Sequence, residues 1–131
     1  VKIAPDLTDE DIDDVARLAL DLKLDGVVAT NTTIGREGLV TDPETVIAAG
    51  VGGLSGAPLK QRSLEVLRRL RAALGPEPVI ISVGGVETGD DVKERLDAGA
   101  NLVQGYTAFL YEGPFWAGRI NRRLRKLQRR G

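Results

Sequence analysis

Two hydrophobic patterns alternate along the chain: short unbroken apolar runs, and longer stretches in which apolar residues recur every three or four positions. The clearest run is Val79 to Val83, VIISV, which reads as a strand buried on both faces. Gly84 and Gly85 follow at once and let the backbone turn sharply at the strand's carboxyl end. Thr88 sits three residues before Asp91, a capping-box start for a helix that closes at Ala98-Gly99. A second run, Asn101 to Gln104, ends in Gly105-Tyr106-Thr107. This is a β-α-β unit with a permissive glycine loop after each strand. Such units gather backbone amides at one end of a parallel sheet, the end that binds ligands and often phosphate groups.

The same alternation organises the rest. Val1 to Ala4 reads as a strand with Lys2 in its middle, and Thr8 with Asp11 opens a helix whose apolar stripe is Ile12, Val15, Ala16, Ala19 and Leu22. Strand Val27 to Ala29 ends in four polar side chains, Thr30-Asn31-Thr32-Thr33, which by residue type alone suit a turn. Ile34 to Gly53 has no clear period and is long for a βα connection, where roughly 2–6 residues are usual, so it reads as a functional or mobile loop. Gly52-Gly53-Leu54-Ser55-Gly56 then leads through Pro58 into a helix with Leu64, Leu67, Leu70 and Leu74 inward; it fits neither a dinucleotide fingerprint nor a P-loop. After the short Ala108 to Tyr111 and the Gly113-Pro114 break comes a last helix with Phe115, Ile120, Leu124 and Leu127 on its apolar side. Strand-helix thus occurs four times, an α/β chain of parallel βα repeats with right-handed crossovers. A complete (β/α)₈ TIM barrel takes about 250 residues, so the chain is either an open sheet or half a barrel. An apolar start without Met favours the half, with residues 1–131 as a single segment of something longer.

Composition narrows the chemistry. The chain has no Cys and no His, which excludes disulfides, thiol nucleophiles and imidazole acid-base catalysis, and no metal site is expected. No apolar stretch approaches the roughly 20 residues of a membrane helix, and a soluble segment is expected. The net charge of −1 hides a polarity: Asp6 to Asp14 is acidic, Arg119 to Arg130 strongly basic. Acids at a helix start and bases at a helix end explain this, and a basic helix near an anionic surface is the alternative. Nucleic acid is not an expected partner, because the basic residues lack interleaved aromatics or a recognition motif.

Several strings, in order and over nearly the whole chain, resemble dihydroorotate dehydrogenase of the membrane-associated, quinone-reducing class 2: Lys2 to Leu7, Thr30 to Thr33, Gly52 to Gly56 with Pro58-Leu59, Val83 to Gly85, and Ala98 to Ala100 through Val103 to Thr107 and Gly113-Pro114. Class 1 enzymes share the glycine strings, but the APDL start and the NTT triplet resemble class 2. The resemblance implies the carboxyl-terminal half of an FMN-binding TIM barrel that oxidises dihydroorotate to orotate in pyrimidine synthesis and passes electrons to a quinone. It further implies that Lys2, Thr30, Gly56, Gly85, Tyr106 and Thr107 hold FMN and that Asn31 and Thr32 hold substrate. The catalytic base would be a serine in the other half, since Ser55, Ser63 and Ser82 fall in strings that match other places. Amino-terminal helices outside this chain would carry the parent to a bacterial inner membrane, on its cytoplasmic side, or to a mitochondrial inner membrane. Two rivals stand beside this reading: another FMN barrel, such as a class 1 relative or a dihydrouridine synthase, and a non-catalytic flavin- or phosphate-binding half-barrel. The isolated segment is expected to be inactive and to self-associate through its unpaired edge strands.

Overall fold

Four strands lie side by side in sequence order, all parallel, with helices carrying the chain from each to the next. The computed structural model describes residues 1–129; Arg130, at the end of the basic run, lies outside them. The strands are β1 (Lys2–Ile3), β2 (Gly26–Ala29), β3 (Val79–Val83) and β4 (Leu102–Gln104). The helices are α1 (Asp9–Asp21), α2 (Pro43–Ala48), α3 (Lys60–Leu74), α4 (Gly89–Asp97), α5 (Thr107–Glu112) and α6 (Trp116–Gln128), with a short 3₁₀ turn at Ala57–Leu59 leading into α3.

The register sorts the strand residues into two faces. Ile3, Ala29 and Ser82 align across β1, β2 and β3, and Val27 pairs with Ile80. All five are buried, packed towards Ile12, Ala16 and Ala19 of α1 and Leu64, Leu67, Leu70 and Leu74 of α3. The opposite face carries Lys2, Val28, Ile81, Val83, Leu102 and Gln104, none of them buried. VIISV is therefore not enclosed on both sides, as its apolar run suggests: Ile80 and Ser82 are fully buried while Ile81 and Val83 are half-buried. Helices cover one face only.

Helix ends follow from capping chemistry. The Thr8 hydroxyl accepts from Asp11 N–H at 3.1 Å while the Asp11 carboxylate accepts from Thr8 N–H, and Thr88 with Asp91 repeats the arrangement at α4. Two expected core positions lie outside. Leu22 is exposed because α1 ends at Asp21 and the chain turns away through Lys23 at φ +53°. Phe115 is exposed because it caps α6; the inward face begins one residue later and runs Trp116, Ile120, Leu124, Leu127.

The charge polarity along the chain becomes pairing between neighbouring helices. Arg69 of α3 grips Asp13 of α1 through two bonds of 2.8 and 2.7 Å and reaches Asp9 at 3.0 Å, while Arg62 meets Asp9 at 3.1 Å. Arg123 of α6 grips Asp90 of α4 through two bonds of 2.9 Å. The hydrogen bonds from the guanidinium in each bidentate pair lower the pKa of its aspartate. At the amino ends of the strands, Arg71 donates to the carbonyls of Gly99, Gly75 and Pro78 and to Asn101 Oδ1. Asn101 Oδ1 also accepts from Ile80 N–H, so one guanidinium ties together the loops that lead into β3 and β4.

Candidate functional site

The carboxyl ends of the strands open into a cleft of about 240 Å³. Lys2 from β1, Thr30, Asn31 and Thr32 after β2, Gly56 before α3, Gly85 after β3, and Tyr106 and Thr107 after β4 all line it. Positions as distant in sequence as 2 and 107 meet because parallel strands bring every βα loop to the same end.

Backbone bonds fix the polar side of the cleft. Thr30 is buried, and its N–H donates to Val83 O at 2.7 Å while its hydroxyl faces the same carbonyl at 3.4 Å. Asn31 N–H donates to Ile3 O at 2.7 Å, leaving its side chain exposed. The Asn31 Oδ1 accepts from Thr32 N–H at 2.9 Å, so the side chain offers a free amide donor and one remaining lone pair. Lys2 projects from the open face of the sheet into the cleft, so a lysine inside VKIA meets neither core nor bulk water alone. Thr107 Oγ1 lies 2.9 Å from Ser55 Oγ, joining the glycine loop before α3 to the turn after β4.

The glycines serve close packing. Gly56 and Gly85 have φ of +90° and +66°. A Cβ on Gly85 would sit 2.5 Å from Lys60 N and 2.6 Å from its Cα, so the loop after β3 rests directly on the first turn of α3. A Cβ on Gly105 would run into the Trp116 ring, whose Nε1 donates to Glu87 O at 2.9 Å.

Four residues not expected from the sequence support this floor: Trp116, Ser63, Ser82 and Arg95. The Arg95 guanidinium, 1% exposed, donates to Ser82 Oγ at 2.9 Å, Lys60 O at 2.9 Å and Gly84 O at 2.8 Å. Burial pushes its pKa below the usual guanidinium value. Arg95 lies three residues after the buried Val92 and so shares its inward face, but on a charged helix the residue type alone reads as surface. Ser63 and Ser82 are wholly buried and bonded within this cluster, and Ser55 is engaged by Thr107, so each serine of the chain has a structural partner. Beside the loop, Lys60 pairs with Glu87 at 2.9 Å and Asp91 at 3.3 Å. The bond to Glu87 raises the Lys60 pKa. Burial pushes Asp91 up, but bonds from the Thr88 and Glu87 N–H groups outweigh it and leave the carboxyl below its usual value. Among the described residues no cluster of metal-ligating side chains occurs.

Four parallel βα units with a glycine-lined cleft at the strands' carboxyl ends define half of an α/β barrel. The dihydroorotate dehydrogenase family model matches residues 1–127, and the chain belongs to that family. Its relatives include the dihydroorotate dehydrogenase (quinone) of Arthrobacter sp. strain FB24, 76% identical over 126 residues, which cover 96% of this chain and 35% of that protein. The protein of the same name from Pseudarthrobacter chlorophenolicus is 73% identical over 129 residues, 98% of this chain and 36% of its own length. Among solved structures, the DHODH of Eimeria tenella in complex with ferulenol superposes with a TM-score of 0.91 at 41% identity, covering 99% of this chain and 34% of that one. The chain thus spans about a third of the length of these relatives.

Proposed function

We propose that this chain is the carboxyl-terminal half of the FMN-binding barrel of a quinone-dependent dihydroorotate dehydrogenase, and that it carries one wall of the cofactor site and part of the substrate site. The observation that carries the reading is the convergence, in one cleft, of residues whose chemistry suits that cofactor. Glycine loops after β3 and before α3 line the cleft with backbone that can approach a phosphate closely, and Lys2 offers a cation to the polar edge of a flavin ring. FMN, when bound, accepts the electrons of the oxidation and hands them on.

The chain's own residues then have distinct tasks. Gly56, Gly85, Tyr106 and Thr107 cradle the phosphate, Thr30 shapes the wall beside the ring, and Lys2 favours negative charge there. Asn31 presents its free amide donor to substrate, with Thr32 beside it. The base that takes the substrate proton is, as the family resemblance implies, a serine of the other half of the barrel. At about 240 Å³ the cleft is smaller than the roughly 300–1,000 Å³ of most ligand sites, as suits a site completed from elsewhere. Quinone and membrane contact likewise belong to other segments of the parent; no helix of the described residues is long and apolar enough to cross a membrane.

The full-length protein should be yellow with bound FMN and should oxidise dihydroorotate with a quinone as acceptor. A purified protein that reconstitutes with no flavin refutes the reading; one that binds flavin without turnover supports the non-catalytic alternative.

A further inference from the structure

We propose that Arg95, together with Ser63, is a positioning residue for the phosphate site: it clamps the Gly84 carbonyl and thereby fixes which way the Gly85 N–H points. The inference rests on the reading above, that the cleft takes FMN.

Two donors converge on this one carbonyl. Arg95 Nη2 lies 2.8 Å from Gly84 O and Ser63 Oγ lies 2.9 Å from it. The Ser63 hydroxyl has one proton and also faces Leu59 O at 2.7 Å, so it cannot serve Gly84 alone, and the guanidinium is the dependable donor. The carbonyl of Gly84 and the N–H of Gly85 belong to one trans peptide plane and point to opposite sides of it. Holding the carbonyl towards α3 and α4 therefore holds the N–H away from them, and both glycines line the cleft. Gly85 N–H has no acceptor among the described residues.

A clamp matters at this position because the sequence supplies no other restraint. Gly84 and Gly85 both have positive φ, 125° and 66°, and a peptide between two glycines rotates at little cost. Unclamped, the same plane could turn its carbonyl oxygen towards the cleft, where it would repel a phosphate instead of binding it. Arg95 makes no ion pair within the described residues, so its contacts here are all to neutral oxygens. A cation placed behind the carbonyl also polarises the peptide and strengthens its N–H as a donor.

The test compares FMN with riboflavin, which lacks the phosphate, by fluorescence titration of the full-length apoprotein. In Arg95→Met, FMN affinity should fall about tenfold, the size of one charge-assisted hydrogen bond, while riboflavin affinity stays within about twofold. Thermal unfolding checks that the variant is folded. Should Arg95→Met not fold, Arg95→Lys decides: a single ammonium keeps the charge but cannot reproduce the fork that reaches Ser82, Lys60 and Gly84 together, so its preference for FMN should still fall several-fold. A folded Arg95→Lys with the wild-type preference, or a parallel loss of both flavins in either variant, overturns the proposal. A wild-type protein that binds neither flavin refutes the cofactor assignment instead.

Discussion

Gly85 and Asn31 line the same cleft and call for opposite experiments. Gly85 has φ of +66° and rests on the backbone of Lys60, so Gly85→Ala should lower stability by about 1–3 kcal/mol in chemical denaturation and weaken flavin binding along with it. Gly56→Ala should also lower stability, because a backbone at φ +90° and ψ −152° is strained for any side chain and its Cβ would meet the Thr107 methyl at 3.0 Å. Asn31 is exposed, and its side chain bonds only Thr32 N–H among the described residues. In the full-length protein Asn31→Ala should therefore leave unfolding and flavin content nearly unchanged and raise the dihydroorotate KM or lower kcat by roughly tenfold or more, through lost polar contacts. Loss of flavin with normal substrate kinetics would reverse the assignment. That these positions meet at one end of the sheet was legible from the order of βα units, whereas the roles proposed for them came from the family resemblance, since by residue type alone they suit turns. Arg95 was not legible, since one more arginine on a charged helix looks like surface until packing shows which way it faces.

The helices were legible where side chains cap them. Thr8 with Asp11 and Thr88 with Asp91 announce α1 and α4, and both boxes close in the structure. α2 was hidden within the long Ile34 to Gly53 stretch, although Asp42, Pro43 and Thr45 are a cap, a first-turn proline and the capped amide of a short helix. With none of its residues buried, α2 leaves no hydrophobic period to detect. Thr88→Ala should cost about 1 kcal/mol, read from the urea midpoint. The same box predicts an acid response. Asp91 has a lowered pKa in the folded state, so its contribution is complete above the unfolded value of about 3.9 and is lost as the pH falls below it. The urea midpoint should accordingly fall more steeply with acid in the wild type than in Asp91→Asn, which no longer titrates.

At the scale of the molecule, the four βα repeats were legible because strand and helix periods differ so plainly. The open face of the sheet was not, since an apolar run carries no record of what covers it. β1 and β4 each pair on one side only among the described residues, and Leu102, Phe109, Leu110, Tyr111 and Phe115 are exposed around β4 and α5. Edges and apolar surface of this kind promote association, so the 131-residue polypeptide by itself should sediment as a dimer or larger species and show no dihydroorotate oxidation. A cooperatively unfolding monomer would count against this. The two arginines of the core region divide the sheet between them: Arg95 works beneath the cleft, Arg71 at the opposite rim. Arg71→Ala should lower stability by about 2 kcal/mol or more yet leave the preference for FMN over riboflavin intact. Arg71 fastens the entries of β3 and β4 at the rim away from the cleft, so part of the hold on these two strands is independent of the loops above it. Cleft side chains that carry no packing, Asn31 among them, can therefore be exchanged to retune what the cleft accepts while the sheet keeps its hold.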